Sequence, residues 1–222
     1  MLHADNWTIR QHVQIETYQF QTRQTAIREG QWRGESPLGR DPNGLKLGIL
    51  GMGGIGTATA KRAAAFGFDI QYHSRSAIAG IKETIGAPAR HVGFEELLRT
   101  SDVISVHVPL SESTKGLLSD PEFALMKPGV ILVNTARGPI VDEDALVRNL
   151  ESGKVWSAGL DVYENEPNVH PGLLKSSNVV LLPHIGTATV DTQKRMEVLV
   201  IDNVRKAVTE SKLLTQVPEQ TA

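Results

Sequence analysis

The stretch LGILGMGGIG, residues 47–56, constrains this chain more than any other. An apolar run from Leu47 to Leu50 meets glycines at 51, 53, 54 and 56, and the alanine-rich TATAKRAAAFG follows. Gly51, Gly53 and Gly56 spell G-x-G-x-x-G. That pattern carries meaning where a strand precedes it and a helix follows, as the flanking residues predict here. Gly51 permits a tight turn, Gly53 lets backbone approach a pyrophosphate, and Gly56 lets the helix pack closely on the strand. Phosphates would then rest on free N–H groups at the helix start, those of Gly54 and Ile55. The plain alternative is a tight turn that holds no ligand.

The surrounding pattern alternates. Strands are predicted at 45–50, 68–73, 102–108, 129–135, 157–163 and 178–184, several as near-continuous apolar runs. Such runs suit strands buried on both faces of a parallel sheet. Helix signals fall between them. Ser119 precedes PEFALM with Glu122 three residues on, a capping-box spacing, and Pro121 sits in the first turn. Asp142 is a good N-cap for EDALVRNLESG, which stops at Gly153. A final helix is expected over 187–208, capped by Thr187 or Thr189, with Met196, Leu199, Val200, Asn203, Val204 and Ala207 on one side. The tail LLTQVPEQTA is expected along the surface. The fold class is therefore α/β, a doubly wound parallel sheet of Rossmann type, with a long N-terminal helix and a C-terminal helix. The Gln-rich residues 1–40 form an N-terminal helical segment ending in a loop, 41–190 the dinucleotide-binding domain, and 191–222 the C-terminal helix and tail.

Composition narrows the partners. The formal net charge of −2 gives no footprint for nucleic acid or an anionic membrane. Absence of cysteine excludes disulfides, thiolate catalysis and Cys-based zinc sites, and no metal site is expected. No run reaches the roughly 18 apolar residues of a membrane span. The first residues lack the order of a secretion signal, so the cytoplasm is the expected location. Hydrophobic residues at 40% and charged residues at 22% suit a globular chain.

The second strand decides which dinucleotide. An Asp or Glu at its end bonds the ribose hydroxyl of NAD(H). Here the chain reads YHSRS, Tyr72 to Ser76, with no acid; Asp69 comes too early. Arg75 can pair with a 2′-phosphate, and Ser74 and Ser76 can hydrogen-bond to it. NADP(H) is thus preferred, with NAD(H) still admitted. The bland reading is a solvated surface arginine.

Three further stretches end strands: Arg137 in VNTARGPIVDEDAL, Asp161 and Glu166 in AGLDVYENEP, and His184 in LLPHIGTAT. Ligands of open α/β sheets bind outside the carboxyl ends of the strands. Singly, each of these residues reads as surface or loop chemistry. Together, and with HVPLSESTKGLL and LMKPGVILVNTARG, they closely resemble the D-isomer-specific 2-hydroxyacid dehydrogenases, in particular their glyoxylate/hydroxypyruvate reductase-like branch. The resemblance covers residues 38–218. It implies hydride transfer between NAD(P)H and a small 2-keto or 2-hydroxy acid. It implies that Arg137, Glu166 and His184 are catalytic. Arg137 would clamp the substrate carboxylate and polarise the keto oxygen, and His184 would exchange a proton with that oxygen. Glu166 would orient the imidazole and favour its charged form. The resemblance also implies cofactor contacts at Pro109 and Thr114, at Thr135, Ala136, Arg137 and His184, and at Asp161 on the nicotinamide carboxamide. His3, His12, His91 and His170 read as surface or local hydrogen-bonding groups, and His107 as a satisfied core histidine in a strand.

The resemblance breaks at the N-terminus. The family places a substrate domain ahead of the glycine turn, and most of it is absent from this sequence. What stands there is a polar stretch ending in AIREGQWRG, like a family R-x-G-x-W segment. Family dimers use that helix, so a homodimer is among the arrangements the resemblance allows. Three readings follow: an autonomous 2-keto acid reductase, an NADP(H)-binding module with weak or no turnover, and a fragment of a longer dehydrogenase.

Overall fold

A computed structural model describes residues 25–32 and 39–215 of the chain. The expected N-terminal helix lies largely outside the described residues; within them, only 25–28 in that region are helical. The described residues divide into two compact units, one running to Gly186 and the other starting at Thr187.

The first unit is a seven-stranded, all-parallel sheet. Its strands are β1 (Lys46–Leu50), β2 (Asp69–His73), β3 (Ala89–His91), β4 (Val103–Val106), β5 (Val130–Asn134), β6 (Val155–Leu160) and β7 (Val179–Leu181). Their order in space is β3-β2-β1-β4-β5-β6-β7. The winding reverses between β1 and β4, which opens a crevice at their carboxyl ends. The six strands read from the sequence are present, some shorter than expected. β3 was not foreseen: its three residues, ARH, show no apolar run because two of them are exposed at the sheet edge.

The connections are α1 (Gly54–Ala64), α2 (Ile81–Ile85), α3 (Phe94–Thr100), α4 (Asp120–Leu125), a 3-10 turn at Gly138–Ile140, α5 (Glu143–Glu151) and α6 (Pro171–Lys175). Alternate strand residues feed two cores. Leu47, Ile49, Ile131 and Val133 pack with Ala60 and Ala63 of α1 on one side. Leu50, Ile104, Val106, Val130 and Leu132 pack with Leu97, Phe123 and Leu146 on the other. Two-sided burial explains why these strands read as unbroken apolar runs. Local signals place the helices. Glu122 accepts the Ser119 N–H at 3.1 Å, Asp142 accepts the Ala145 N–H at 2.8 Å, and Gly153 takes a φ of 75° beyond α5.

The second unit holds α7 (Val190–Glu210). Thr189, not Thr187, caps it, accepting the Thr192 N–H at 3.2 Å. Of the side expected to be apolar, Met196, Leu199, Asn203 and Ala207 are half-buried, whereas Val200 and Val204 are exposed. The covered stripe is narrower than the sequence pattern because those two valines fall a further step around the helix. Asn203 accepts the Leu214 and Thr215 N–H groups at 3.0 and 3.1 Å, folding the start of the tail back along α7. Among the described residues no helix is long and apolar enough to cross a membrane.

Candidate active site

The glycine turn sits at the crevice. Gly51 has a φ of 99°, and a Cβ there would lie 2.8 Å from the His107 carbonyl carbon and the Val108 nitrogen. Position 51 therefore admits only glycine on two counts, backbone conformation and space. A Cβ on Gly56 would lie 2.2 Å from the Gly51 carbonyl oxygen, so this residue lets α1 begin against the turn. Gly53 differs: nothing lies within 4 Å of a Cβ placed on it. The space above it is open, the space a pyrophosphate would need. No side chain caps α1 and no acid stands in its first turn, which leaves the first N–H groups, including those of Gly54 and Ile55, facing that space.

The second-strand turn is shaped from behind. The Tyr72 hydroxyl accepts the Ile78 N–H at 3.0 Å. His91 Nε2 bonds the Ser74 carbonyl at 3.0 Å, and the Ser74 hydroxyl donates to the Ser76 carbonyl at 2.7 Å. Arg75 at the tip is exposed and makes no ion pair among the described residues. Sequence reading named Ser74, Arg75 and Ser76, and took His91 as a surface or local hydrogen-bonding group, as it is; it did not foresee that Tyr72 and His91 hold this turn. Farther along, the Thr114 hydroxyl donates to the Pro109 carbonyl at 2.6 Å and accepts the Ser111 N–H at 2.8 Å, closing the loop after β4. His107 is one residue past β4 and half-buried, not a strand residue as expected. Its Nε2 bonds Ser105 Oγ at 2.8 Å, and burial pushes its pKa down to about 4, so it stays neutral.

Thr135, Ala136 and Arg137 follow β5. Asn134, buried at the strand end, braces them: its amide donates to the Arg137 carbonyl and accepts the Ala136 N–H, both at 3.0 Å. Thr135 Oγ1 is buried without a hydrogen-bond partner, alone in this among the described side-chain polar atoms. Such an atom costs stability unless something pairs with it. Gly138 then packs flat on the next loop, where a Cβ would lie 1.9 Å from the Tyr163 carbonyl carbon.

That loop carries Glu166. Its Oε1 accepts the Tyr163 N–H at 3.1 Å and its Oε2 lies 2.8 Å from His184 Nδ1. Burial raises the Glu166 pKa, but bonds from His184 and the Tyr163 N–H, with the nearby Arg137 charge, hold it net below its ordinary value. Arg137 is exposed and its Nη1 donates to the Ala136 carbonyl at 2.6 Å, leaving most of its donors free. His184 adopts a left-handed φ of 54°. Asp161, 3% exposed, fastens the turn beyond it, accepting the Ile185 N–H at 2.9 Å and the Gly186 N–H at 3.0 Å. The Tyr163 hydroxyl donates to the Leu182 carbonyl at 2.8 Å, tying the Glu166 loop to the His184 strand; burial pushes its pKa up to about 12. Tyr163 and Asn134 were not singled out from sequence; their roles are packing and backbone bonds that no motif displays. A hollow of about 290 Å³ adjoins the pair, lined by Tyr163, Val169, Leu174 and Leu181 beside Glu166 and His184.

Residues 15–186 match the family model for the D-isomer specific 2-hydroxyacid dehydrogenase, NAD binding domain. The chain belongs to this family. It is 56% identical to 4-methyl-2-oxopentanoate reductase A of Aspergillus oryzae, over 88% of this chain and 59% of the relative. It is 46% identical to glyoxylate reductase 1 of Saccharomyces cerevisiae, over 83% of this chain and 52% of the relative. The chain thus spans between 41% and 59% of the length of the curated relatives it matches. A crystal structure of a glyoxylate reductase from Paecilomyes thermophila superposes with a TM-score of 0.93 at 51% identity, covering 99% of this chain and 67% of that one. An NADPH-dependent glyoxylate/hydroxypyruvate reductase from Sinorhizobium meliloti, solved with NADP and malonate, superposes with a TM-score of 0.90 at 33% identity, over 98% and 68% of the two chains.

Proposed function

We propose that this chain is the dinucleotide-binding part of a reductase that acts on small 2-keto acids such as glyoxylate or hydroxypyruvate, with NADP(H) preferred over NAD(H). The observation that carries the reading is the Glu166–His184 pair, 2.8 Å apart, with the Arg137 charge beside it at the carboxyl end of the sheet. The dinucleotide fits the residues present: the space over Gly53 is open, α1 offers uncapped N–H groups, and Thr135 Oγ1 lacks a partner. Gly51, Gly53, Gly54, Ile55 and Gly56 would hold the pyrophosphate. Ser74, Arg75 and Ser76 would hold a 2′-phosphate, and Pro109 and Thr114 would border the adenosine. Thr135, Ala136, Arg137, Asp161 and His184 would border the nicotinamide. Asp161 already accepts two N–H bonds, and its oxygens keep further lone pairs for a carboxamide.

When bound, the reduced nicotinamide supplies a hydride to the keto carbon. Arg137 pairs with the substrate carboxylate through charge-assisted bonds, and its positive charge favours the developing alkoxide. His184 gives a proton from Nε2 to that oxygen and regains it in the reverse direction. Glu166 accepts from Nδ1, which fixes the ring and points Nε2 outward. NADPH oxidation in the presence of glyoxylate tests this, with His184→Gln expected to bind NADPH and not oxidise it.

A second reading is a binding module with little turnover. The His184 and Glu166 side chains are 49% and 36% exposed, and hydride transfer gains from exclusion of water. NADPH binding without substrate-dependent oxidation would favour it.

A further inference from the structure

Among the described residues two carboxylates are buried, Asp161 at 3% exposed and Glu143 at 5%. Asp161 fastens the turn that follows His184. Glu143 makes the corresponding bond on the other loop, its Oε1 accepting the Glu164 N–H at 2.7 Å. Glu164 follows Tyr163, whose own N–H is bonded to Glu166. Two consecutive peptides of the loop are therefore held by carboxylates, one of which is the carboxylate being positioned.

Glu143 is the first residue of α5, a place where an acid suits the helix dipole. That duty does not require burial. Asp142 already caps the helix, and Asp144 one step on leaves its side chain 75% exposed. Burial pushes the Glu143 pKa up, against the pull of the Glu164 N–H. Removing a carboxylate from water costs free energy unless its bonds return it. Here the bond is to the backbone between Tyr163 and Glu166, not to the helix.

We propose that Glu143 is a positioning residue for the Glu166–His184 pair: it fixes the Glu164 peptide and so the turn that aims Glu166 Oε2 at His184 Nδ1. This rests on the reading of the pair given above. A stabilising role alone would leave the pair unchanged in a folded variant, so the useful readout is the pair itself. A neutral imidazole whose Nδ1 faces a carboxylate carries its hydrogen on Nδ1, since an ionised carboxylate only accepts.

The test is the tautomer of the His184 ring in the full chain at alkaline pH, read from long-range proton–nitrogen correlations and assigned by their loss in His184→Gln. Wild type and Glu143→Gln, whose amide oxygen still accepts the Glu164 N–H, are expected to show the hydrogen on Nδ1. Glu143→Ala is expected to show mainly the Nε2–H form. Should the alanine variant fail to fold, Glu143→Asp keeps a charge at the helix start but withdraws it by one methylene, and the same switch is expected. The Nδ1–H form persisting in folded Ala or Asp variants overturns the proposal, as does a wild type with its hydrogen on Nε2 or a glutamine variant that behaves like alanine. A wild type with the Nδ1–H form that fails to oxidise NADPH with glyoxylate removes the catalytic reading and leaves the positioning result standing.

Discussion

His184 Nδ1 stands 2.8 Å from Glu166 Oε2, although each residue comes from its own loop. The contact is braced by bonds that tie the two loops together: Asp161 accepts the Ile185 and Gly186 N–H groups and the Tyr163 hydroxyl donates to the Leu182 carbonyl, while the Tyr163 N–H holds Glu166 within its own loop. The imidazole is therefore oriented before any substrate arrives, which is what a proton donor needs.

Removal of the proposed donor should be severe. In any assay where the chain turns over glyoxylate, His184→Gln should lower the rate by roughly a hundredfold to ten-thousandfold, the usual share of general acid–base catalysis. NADPH affinity, measured by quenching of protein fluorescence, should change little. A rate within a few-fold of wild type would remove His184 from the chemistry.

Glu166 has a depressed folded-state pKa, so its contribution to stability is full above the ordinary carboxylate range and is lost as pH falls through the depressed value. Its side chain is 36% exposed, so screening limits that contribution to about 1 kcal/mol or less. Melting temperatures of wild type and Glu166→Gln should differ at neutral pH and converge in acid. A gap that widens as pH falls would contradict the assigned sign.

The three glycines of the fingerprint should separate into two classes. Gly51→Ala and Gly56→Ala force a Cβ to within 2.8 and 2.2 Å of backbone atoms, and position 51 also holds a φ of 99°. Each should destabilise the fold by more than about 1 kcal/mol. Gly53→Ala meets nothing within 4 Å and should leave the denaturation midpoint unchanged. Its methyl would occupy the pyrophosphate space, so it should lose NADPH binding. A stable Gly53→Ala variant with wild-type affinity would show that no phosphate approaches this turn.

The fold was legible where periodicity and local chemistry agree. β1 and α1 announce themselves through Leu47–Leu50 and the glycines, and α5 through Asp142. β3 was invisible, since Ala89, Arg90 and His91 sit at an edge where burial does not select apolar side chains. The candidate site was legible as a set of motif residues, because strand ends place them on one edge of the sheet. What sequence could not display is the bracing: Asn134 under Arg137, Tyr163 between the two loops, Glu143 on the Glu164 peptide. These roles depend on which backbone groups come within reach, and that is settled only by tertiary packing.

At the opposite end of the sheet, Asp102 bonds the Lys46 N–H at 2.9 Å and Lys127 at 3.0 Å, with Arg40 at 3.8 Å. Burial raises its pKa, but these partners hold it net below 3.8. Asp102→Ala leaves the Lys46 N–H unpaired and should cost about 1–3 kcal/mol at neutral pH. The stability gap to wild type should close as pH falls through the depressed value, because the stabilising form is the carboxylate. Urea denaturation across that range measures it, and a gap independent of pH would assign the loss to packing.

The proposed preference for NADP(H) rests on Arg75. It is exposed at the tip of a turn held from behind by Tyr72 and His91, and it has no ion-pair partner among the described residues. A guanidinium without a partner gains charge-assisted bonds from a 2′-phosphate and nothing comparable from a ribose hydroxyl. Arg75→Ala should therefore weaken NADPH by roughly tenfold to a hundredfold, the worth of one or two such bonds. NADH should weaken less than about threefold, since it offers no phosphate there. Because the side chain is exposed, added salt should erode the proposed NADPH preference of the wild type as well. Paired fluorescence titrations with both nucleotides at low and moderate salt decide the matter. Equal losses for the two nucleotides would mean that Arg75 is a solvated surface residue and that selectivity, if any, lies elsewhere.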